Sequence, residues 1–386
     1  MRIENVKVYT EEQKFREGAI AIADGVFAEH TKDAGKVLDG NGCYAIPGLI
    51  DIHFHGCKGY DFCDGTKQAL AAVCRYEASI GVTAVAPAVM TLPVRTLENI
   101  LSTAAAYRRE GNNPEGADLL GINMEGPFIS RHKKGAQDEA YIIPASLEVF
   151  HRLQRAADGL IKYMAVAPEE PGALAFIEEA RNEVTVSLGH TNADYNTAKT
   201  AFDKGASHAV HLYNAMPPFL HRAPGVVGAV ADSGQVMAEL ICDGIHVHPA
   251  VVRATFQMLG GSRIIFISDS MRAAGMPDGE YSLGGQDVRV AGKKATLASD
   301  GALAGSVMNL MECMRTAVKE MRIPLEQAVA CAAVNPAKSL GVYERYGSIS
   351  PGKKANLVLL DEQLQVKMVM KDGRILSAKE NTSKNH

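Results

Sequence analysis

The chain contains no tryptophan, and its aromatic residues together make up only 6% of 386 residues. A binder of long polysaccharides or single-stranded nucleic acid needs flat stacking surface, so both classes are disfavoured. Positive charge is not in excess: 40 Lys and Arg stand against 44 Asp and Glu, a formal net charge of -4. Nucleic acid and anionic membrane surfaces therefore have no electrostatic footing as partners. No apolar run approaches the roughly 20 residues that a membrane-crossing helix requires. The opening MRIENVKVYT carries charges where a secretion signal has its apolar stretch. The seven cysteines (Cys43, Cys57, Cys63, Cys74, Cys242, Cys313, Cys331) are odd in number, scattered and never spaced C-x-x-C. Neither a disulfide framework nor a thiolate zinc site is expected, and reduced cysteines used as small apolar residues point to the cytoplasm. The G-x-G-x-x-G phosphate fingerprint of a doubly wound sheet is also missing.

What is present is the balance of a folded enzyme, 47% hydrophobic and 22% charged. The first 45 or so residues read as short alternating strands, broken at Asp24-Gly25 and at Asp39-Gly40-Asn41-Gly42. The far end repeats that style, with Asp372-Gly373 as a tight turn before a solvated, mobile tail, SAKENTSKNH. Between the ends lie eight apolar runs, at 45–56, 82–90, 119–128, 160–169, 184–190, 208–214, 237–246 and 264–270. Seven are followed by helix-forming sequence, and the eighth by a hairpin-like insert (QDVRVAGKKATLA) and then a helical stretch. This alternation predicts an α/β fold, a closed (β/α)8 barrel of the TIM type over 47–351. The two ends, 1–46 and 352–386, are expected to pair into one small β-sandwich domain.

Polar residues fall at the C-terminal ends of those runs, the face on which barrel enzymes place their chemistry. His53 and His55 end the first run, and residues two apart share one face of a strand. Glu125 ends the third, His190 the fifth, His211 the sixth and Asp269 the eighth. Any one of these has a plain structural explanation: a hydrogen-bonded core histidine, a turn, a helix cap at Ser270. A second H-x-H at His246 and His248 shows how weak that pair is alone. Convergence of five strands on one end favours a site for zinc or a similar divalent ion. A metal there activates water and polarises a carbonyl, with Asp269 as the proton carrier.

These residues resemble the metal-site pattern of the amidohydrolase superfamily. More narrowly, MEGPFIS, KKGAQ, GHTNA, HLYNAM, R-x-P-G, DGIHVHP and LAGS, in this order, resemble the N-acetylglucosamine-6-phosphate deacetylase family along essentially the whole chain. The resemblance implies hydrolysis of N-acetylglucosamine 6-phosphate to glucosamine 6-phosphate and acetate. It implies Glu125, His190 and His211 as principal metal ligands and Asp269 as general base and acid. Asn214 and Ala215 match the sugar-phosphate contact, Arg222 a phosphate-binding arginine, and His246 a substrate-contacting histidine. Leu303, Ala304 and Gly305 match a loop near the acetyl group. A planar guanidinium fork suits a phosphate, although Arg222 without the resemblance reads as a surface ion pair. The family pattern also implies one or two divalent ions, zinc or iron, and a homodimer whose neighbouring subunit helps close the phosphate pocket.

Two features set this chain apart within the pattern. His53 and His55 are intact where some members lack the pair and work with one metal, so Glu125 can bridge two ions. In the KKG-x-H segment some members carry a histidine that polarises the acetyl carbonyl; here the segment brings Ala136 and Gln137, counted as substrate contacts. An amide donates a hydrogen bond but carries no charge. Cyclic-amide hydrolases and nucleobase deaminases share the scaffold. The former place a bridging lysine at the end of strand four, where this chain reads MAVAPEE, with Lys162 at the strand's beginning. A non-catalytic scaffold on this fold is the remaining alternative, set against a ligand set that is complete.

Overall fold

The computed structural model describes residues 1–30, 35–111 and 113–378. At its centre parallel strands form the barrel, here β1 (Leu49–Asp51), β2 (Val82–Val85), β3 (Ile122–Phe128), β4 (Ile161–Val166), β5 (Thr185–Leu188), β6 (His208–Ala209), β7 (Met237–Ile241) and β8 (Ile264–Ile267). β1 pairs with β2, while a continuation of β2, Ala88–Val89, opens an unbroken ladder that runs through β3 to β8. The ring closes between its ends by backbone bonds, Asp269 N–H to His53 O at 2.9 Å and His55 N–H to Ser270 O at 2.7 Å. Both faces of these strands are buried, which explains their near-continuous apolar runs. Period-two alternation still sorts them: Ile265 and Ile267 point into the barrel with Ile50, Ile52 and Tyr163, while Ile264 and Phe266 face the helices.

Helices follow the strands as the sequence predicts, and side-chain caps start several of them. Thr66 accepts from Ala69 N–H ahead of Lys67–Ser79, and Asp194 from Thr197 N–H ahead of Tyr195–Lys204. Asn309 and Glu312 form a reciprocal capping box at the start of Leu310–Lys319. In the barrel and its insert, the structure adds detail to the sequence reading. The sixth run is strand only at His208–Ala209, because His211, Tyr213 and Ala215 adopt positive φ (26°, 80° and 51°) and carry the chain off the sheet. The insert after β8 contains the expected hairpin, Gln286–Ala291 with Lys294–Leu297, and Gly279–Leu283 adds a third strand to make a meander. Its additional strand is reached through Gly284-Gly285, both at positive φ, a two-residue turn that the Leu283–Gln286 pairing closes.

The chain ends meet in one seven-stranded sheet, in the order Arg374–Ala378, Val366–Lys371, Leu357–Leu360, Val37–Pro47, Arg2–Tyr9, Phe15–Ala23 and Val26–Ala28. It curls over its own core, in which Ile3, Ile20 and Phe27 pack with Leu357, Met368 and Met370. Asp24-Gly25 and Asp372-Gly373 are tight turns, as expected. The Asp39–Gly42 stretch does not break its strand. It forms a bulge against Arg2–Tyr9, where a Cβ on Gly40 would lie 2.1 Å from Val6 Cγ1. Of the tail read as mobile, Ser377 and Ala378 belong to the last strand and residues 379–386 lie outside the described ones. A buried charge cluster ties this sheet to the barrel: Asp118 holds Lys371 at 3.0 Å, and Lys354 and the Tyr346 hydroxyl at 2.8 Å each. Among the described residues no helix is long and apolar enough to cross a membrane.

Candidate metal centre and active site

Glu125 sits at the hub. Its Oε1 lies 3.1 Å from both His190 Nε2 and His211 Nε2 and 3.2 Å from His53 Nε2. Its Oε2 lies 3.3 Å from His55 Nε2, and Asp269 Oδ1 stands at the same distance from that nitrogen. The side chains form two overlapping groups whose ligand atoms lie within 4.8 Å of one another: His53, His55, Glu125 and Asp269, and then Glu125, His190 and His211. All the predicted ligands therefore meet at one place. Three of them, His190, His211 and Asp269, adopt left-handed backbone (φ 47°, 26° and 49°) at or just past the ends of their strands. Non-glycine residues there cost about 1–3 kcal/mol each, and backbone bonds hold them, as Ser306 N–H does to Asp269 O at 2.7 Å.

The outer face of each ring fixes what its inner face offers. His190 Nδ1 meets Lys133 O at 2.9 Å and His211 Nδ1 meets Asn214 O at 3.1 Å. A carbonyl only accepts, so each Nδ1 carries the proton and each Nε2 presents a lone pair. Those two lone pairs face each other at 3.2 Å and share one carboxylate oxygen, an arrangement that is repulsive without a cation among them. His53 Nδ1 is likewise held, at 2.8 Å, by the buried Glu239 carboxylate. His53 Nε2 and Asp269 Oδ1 are buried and close to complementary atoms without being aligned for a hydrogen bond. The donor set fits a divalent metal ion.

The electrostatics point the same way. Burial works against a charged His53 or His55, yet the carboxylates beside them win. Glu239 and Glu125 raise His53 well above its ordinary range, and Glu125 with Asp269 raises His55. Burial likewise opposes charge on Glu125 and Asp269, and the His53 and His55 rings hold both carboxyls below the usual range. The site draws positive charge into a buried place, which is what a cation would supply.

A cavity of about 390 Å³ opens onto this cluster. Of the other predicted residues, Ala136, Gln137, Asn214, Ala215, His246, Leu303 and Gly305 line it. Ala304 is buried against Met271 and Leu283 instead, and Arg222 lies in the exposed turn Leu220–Ala223, outside the lining. Gln137 is almost fully buried. Sequence reasoning passed over three residues that the geometry brings in. Glu239 orients His53, Asp243 holds His246 Nδ1 at 2.7 Å, and Lys133 lends a carbonyl to His190 and lines the cavity. Glu239 left a trace, a carboxylate in the middle of a buried strand; Asp243 left one in the turn sequence D-G-I-H.

A (β/α)8 barrel that carries shared histidine and carboxylate ligands at the C-terminal ends of its strands defines a metal-dependent hydrolase. The profile of the amidohydrolase family matches residues 44–376. The chain belongs to the amidohydrolase family. It is 36% identical to N-acetylglucosamine-6-phosphate deacetylase of Bacillus subtilis (strain 168), with 97% of this chain and 96% of that protein covered. It is 34% identical to N-acetylgalactosamine-6-phosphate deacetylase of Escherichia coli O157:H7, with 96% and 98% covered. The crystal structure of N-acetylglucosamine-6-phosphate deacetylase from Pasteurella multocida superposes with a TM-score of 0.91 at 31% identity, covering 98% of this chain and 99% of that one.

Proposed function

We propose that the protein hydrolyses the N-acetyl group of N-acetylglucosamine 6-phosphate, releasing glucosamine 6-phosphate and acetate. The observation that carries this reading is the pair of ligand groups sharing Glu125, set beside Asp269 at the foot of the cavity. Similarity to deacetylases of phosphorylated amino sugars, extending over nearly the whole chain, supports the substrate. In this reading Glu125, His190 and His211 would hold one ion, and His53, His55 and Asp269 with Glu125 would hold a second. That ion would be zinc, with iron the alternative. When bound it supplies Lewis acidity, polarising the acetyl carbonyl and lowering the pKa of water.

The chain's own groups do the rest. Asp269, kept ionised by burial overcome by His55 and His53, accepts a proton from the attacking water. It returns that proton to the amine nitrogen as the carbon–nitrogen bond breaks. Asn214, Ala215 and His246 face the sugar phosphate, while Ala136, Leu303 and Gly305 shape the acetyl end. Burial disfavours a charged His246, but Asp243 overrides it and raises the imidazole, which favours the protonated ring that suits an anionic substrate.

Arg222 is exposed and flanked by Phe219 and Leu220, each 51% exposed. That placement supports a homodimer in which Arg222 reaches the phosphate in a second copy's cavity. Seven free thiols support a cytoplasmic setting. The test is acetate release from N-acetylglucosamine 6-phosphate, its unphosphorylated counterpart and the galacto epimer, side by side. Preferred turnover of the gluco phosphate is expected; equal turnover without the phosphate would remove the role given to Arg222 and His246.

A further inference from the structure

We infer that Gln137 is a positioning residue that pins the Glu125 carboxylate, holding Oε1 toward His190, His211 and His53 and Oε2 toward His55, and so sets the affinity for a second ion. The inference rests on the metal-centre reading above. Gln137 Oε1 accepts from Thr91 N–H at 2.6 Å, and Gln137 Nε2 donates to Glu125 Oε2 at 2.7 Å. Which end of the amide faces which partner is settled by chemistry: a backbone N–H only donates, so the atom facing Thr91 is the oxygen. The amino group is left to face Glu125, with Met90 Sδ its other neighbour at 3.6 Å. Gln137 is 2% exposed and both of its ends are engaged, so it acts through Glu125 and not on the acetyl carbonyl.

Glu125 is the only residue common to both ligand groups among the described residues. A carboxylate shared by both groups serves them only in a fixed orientation, and rotation about its last bond would turn its oxygens away from the facing nitrogens. The Gln137 bond on Oε2 removes the rotation. It leaves Oε1 among the His53, His190 and His211 nitrogens and Oε2 beside His55. The anchor is itself fixed by close approach, because a Cβ on Gly126 would lie 2.0 Å from Thr91 Oγ1. Glycine at 126 leaves room for the Thr91 side chain beside this strand, next to the N–H that Gln137 accepts.

The test is equilibrium dialysis of the metal-free full chain against graded free zinc, with bound zinc counted by elemental analysis. Wild type is expected to take two equivalents. Gln137→Met, of equal length but without a donor, is expected to bind the second equivalent about 10- to 100-fold more weakly and the first unchanged. The unchanged first equivalent shows that the site is still folded. Gln137→Asn, one methylene too short to span Thr91 and Glu125, should behave alike. With N-acetylglucosamine 6-phosphate, kcat should fall while KM stays. A variant isotherm that matches wild type, a parallel loss of both equivalents, or a single equivalent in wild type overturns the proposal. No zinc bound by wild type would overturn the metal-centre reading with it.

Discussion

Asp269 and Glu125 are both carboxylates sealed among imidazoles, yet their surroundings give them different tasks. Glu125 is met on both oxygens, whereas Asp269 Oδ1 is buried without an aligned hydrogen bond and faces the cavity that Glu125 anchors. Replacing Asp269 by Asn keeps the shape and removes the proposed base. The expected outcome is a fall in kcat of about 10²- to 10⁴-fold, with zinc retained by Glu125, His190 and His211. Steady-state kinetics paired with metal analysis checks it, and loss of all zinc would reassign Asp269 to a purely ligating role. His246 gives a second prediction at this scale. Asp243 raises its pKa against burial, so its charge persists above the ordinary histidine range and is lost as pH rises through the raised value. KM for the phosphorylated sugar should climb along that alkaline limb, and His246→Asn should flatten it. The converging side chains were legible because each falls at a strand end in a recurring pattern. Glu239 and Lys133 were not, since what they do depends on facing His53 and His190 across the barrel mouth.

At the scale of elements, the barrel strands were legible from apolar runs punctuated by helix caps such as Thr66, Asp194 and Asn309. The sixth run was overextended, because a helical or strand period cannot show where side-chain demands turn the backbone left-handed, as at His211 and Tyr213. The bulge at Gly40 was hidden for a related reason. The dipeptides D-G and N-G signal turns, but here tertiary pairing with Val6 keeps the strand continuous. The close approach of β3 to the Thr91 segment yields a test. Gly126→Ala forces a methyl within 2.0 Å of Thr91 Oγ1 and should destabilise the fold by about 1–3 kcal/mol. Urea unfolding of the metal-free protein measures this, and unchanged stability would mean that the segment yields freely.

For the whole molecule, both chain ends were readable as strands, but only the structure shows how their sheet is fastened to the barrel. The fastening is the buried cluster of Asp118 with Lys371, Lys354 and Tyr346. Burial pushes the Asp118 carboxyl up, and Lys371 and Lys354 outweigh it, leaving the carboxyl below its usual range. A lowered carboxylate contributes stability above the unfolded value, about 3.9, and loses it as pH falls through the folded value. Lys371→Met should therefore cost about 3 kcal/mol at neutral pH, by urea unfolding, and the gap from wild type should narrow in acid. A gap that widens in acid would contradict the assignment.

The measurement that tests the central claim most directly is acetate release from N-acetylglucosamine 6-phosphate by metal-stripped protein as zinc is added back. The metal centre built on Glu125 predicts no release from the stripped protein and activity that rises with bound zinc to a plateau within two equivalents. Full turnover without metal, or none in protein shown to hold two equivalents, would contradict it.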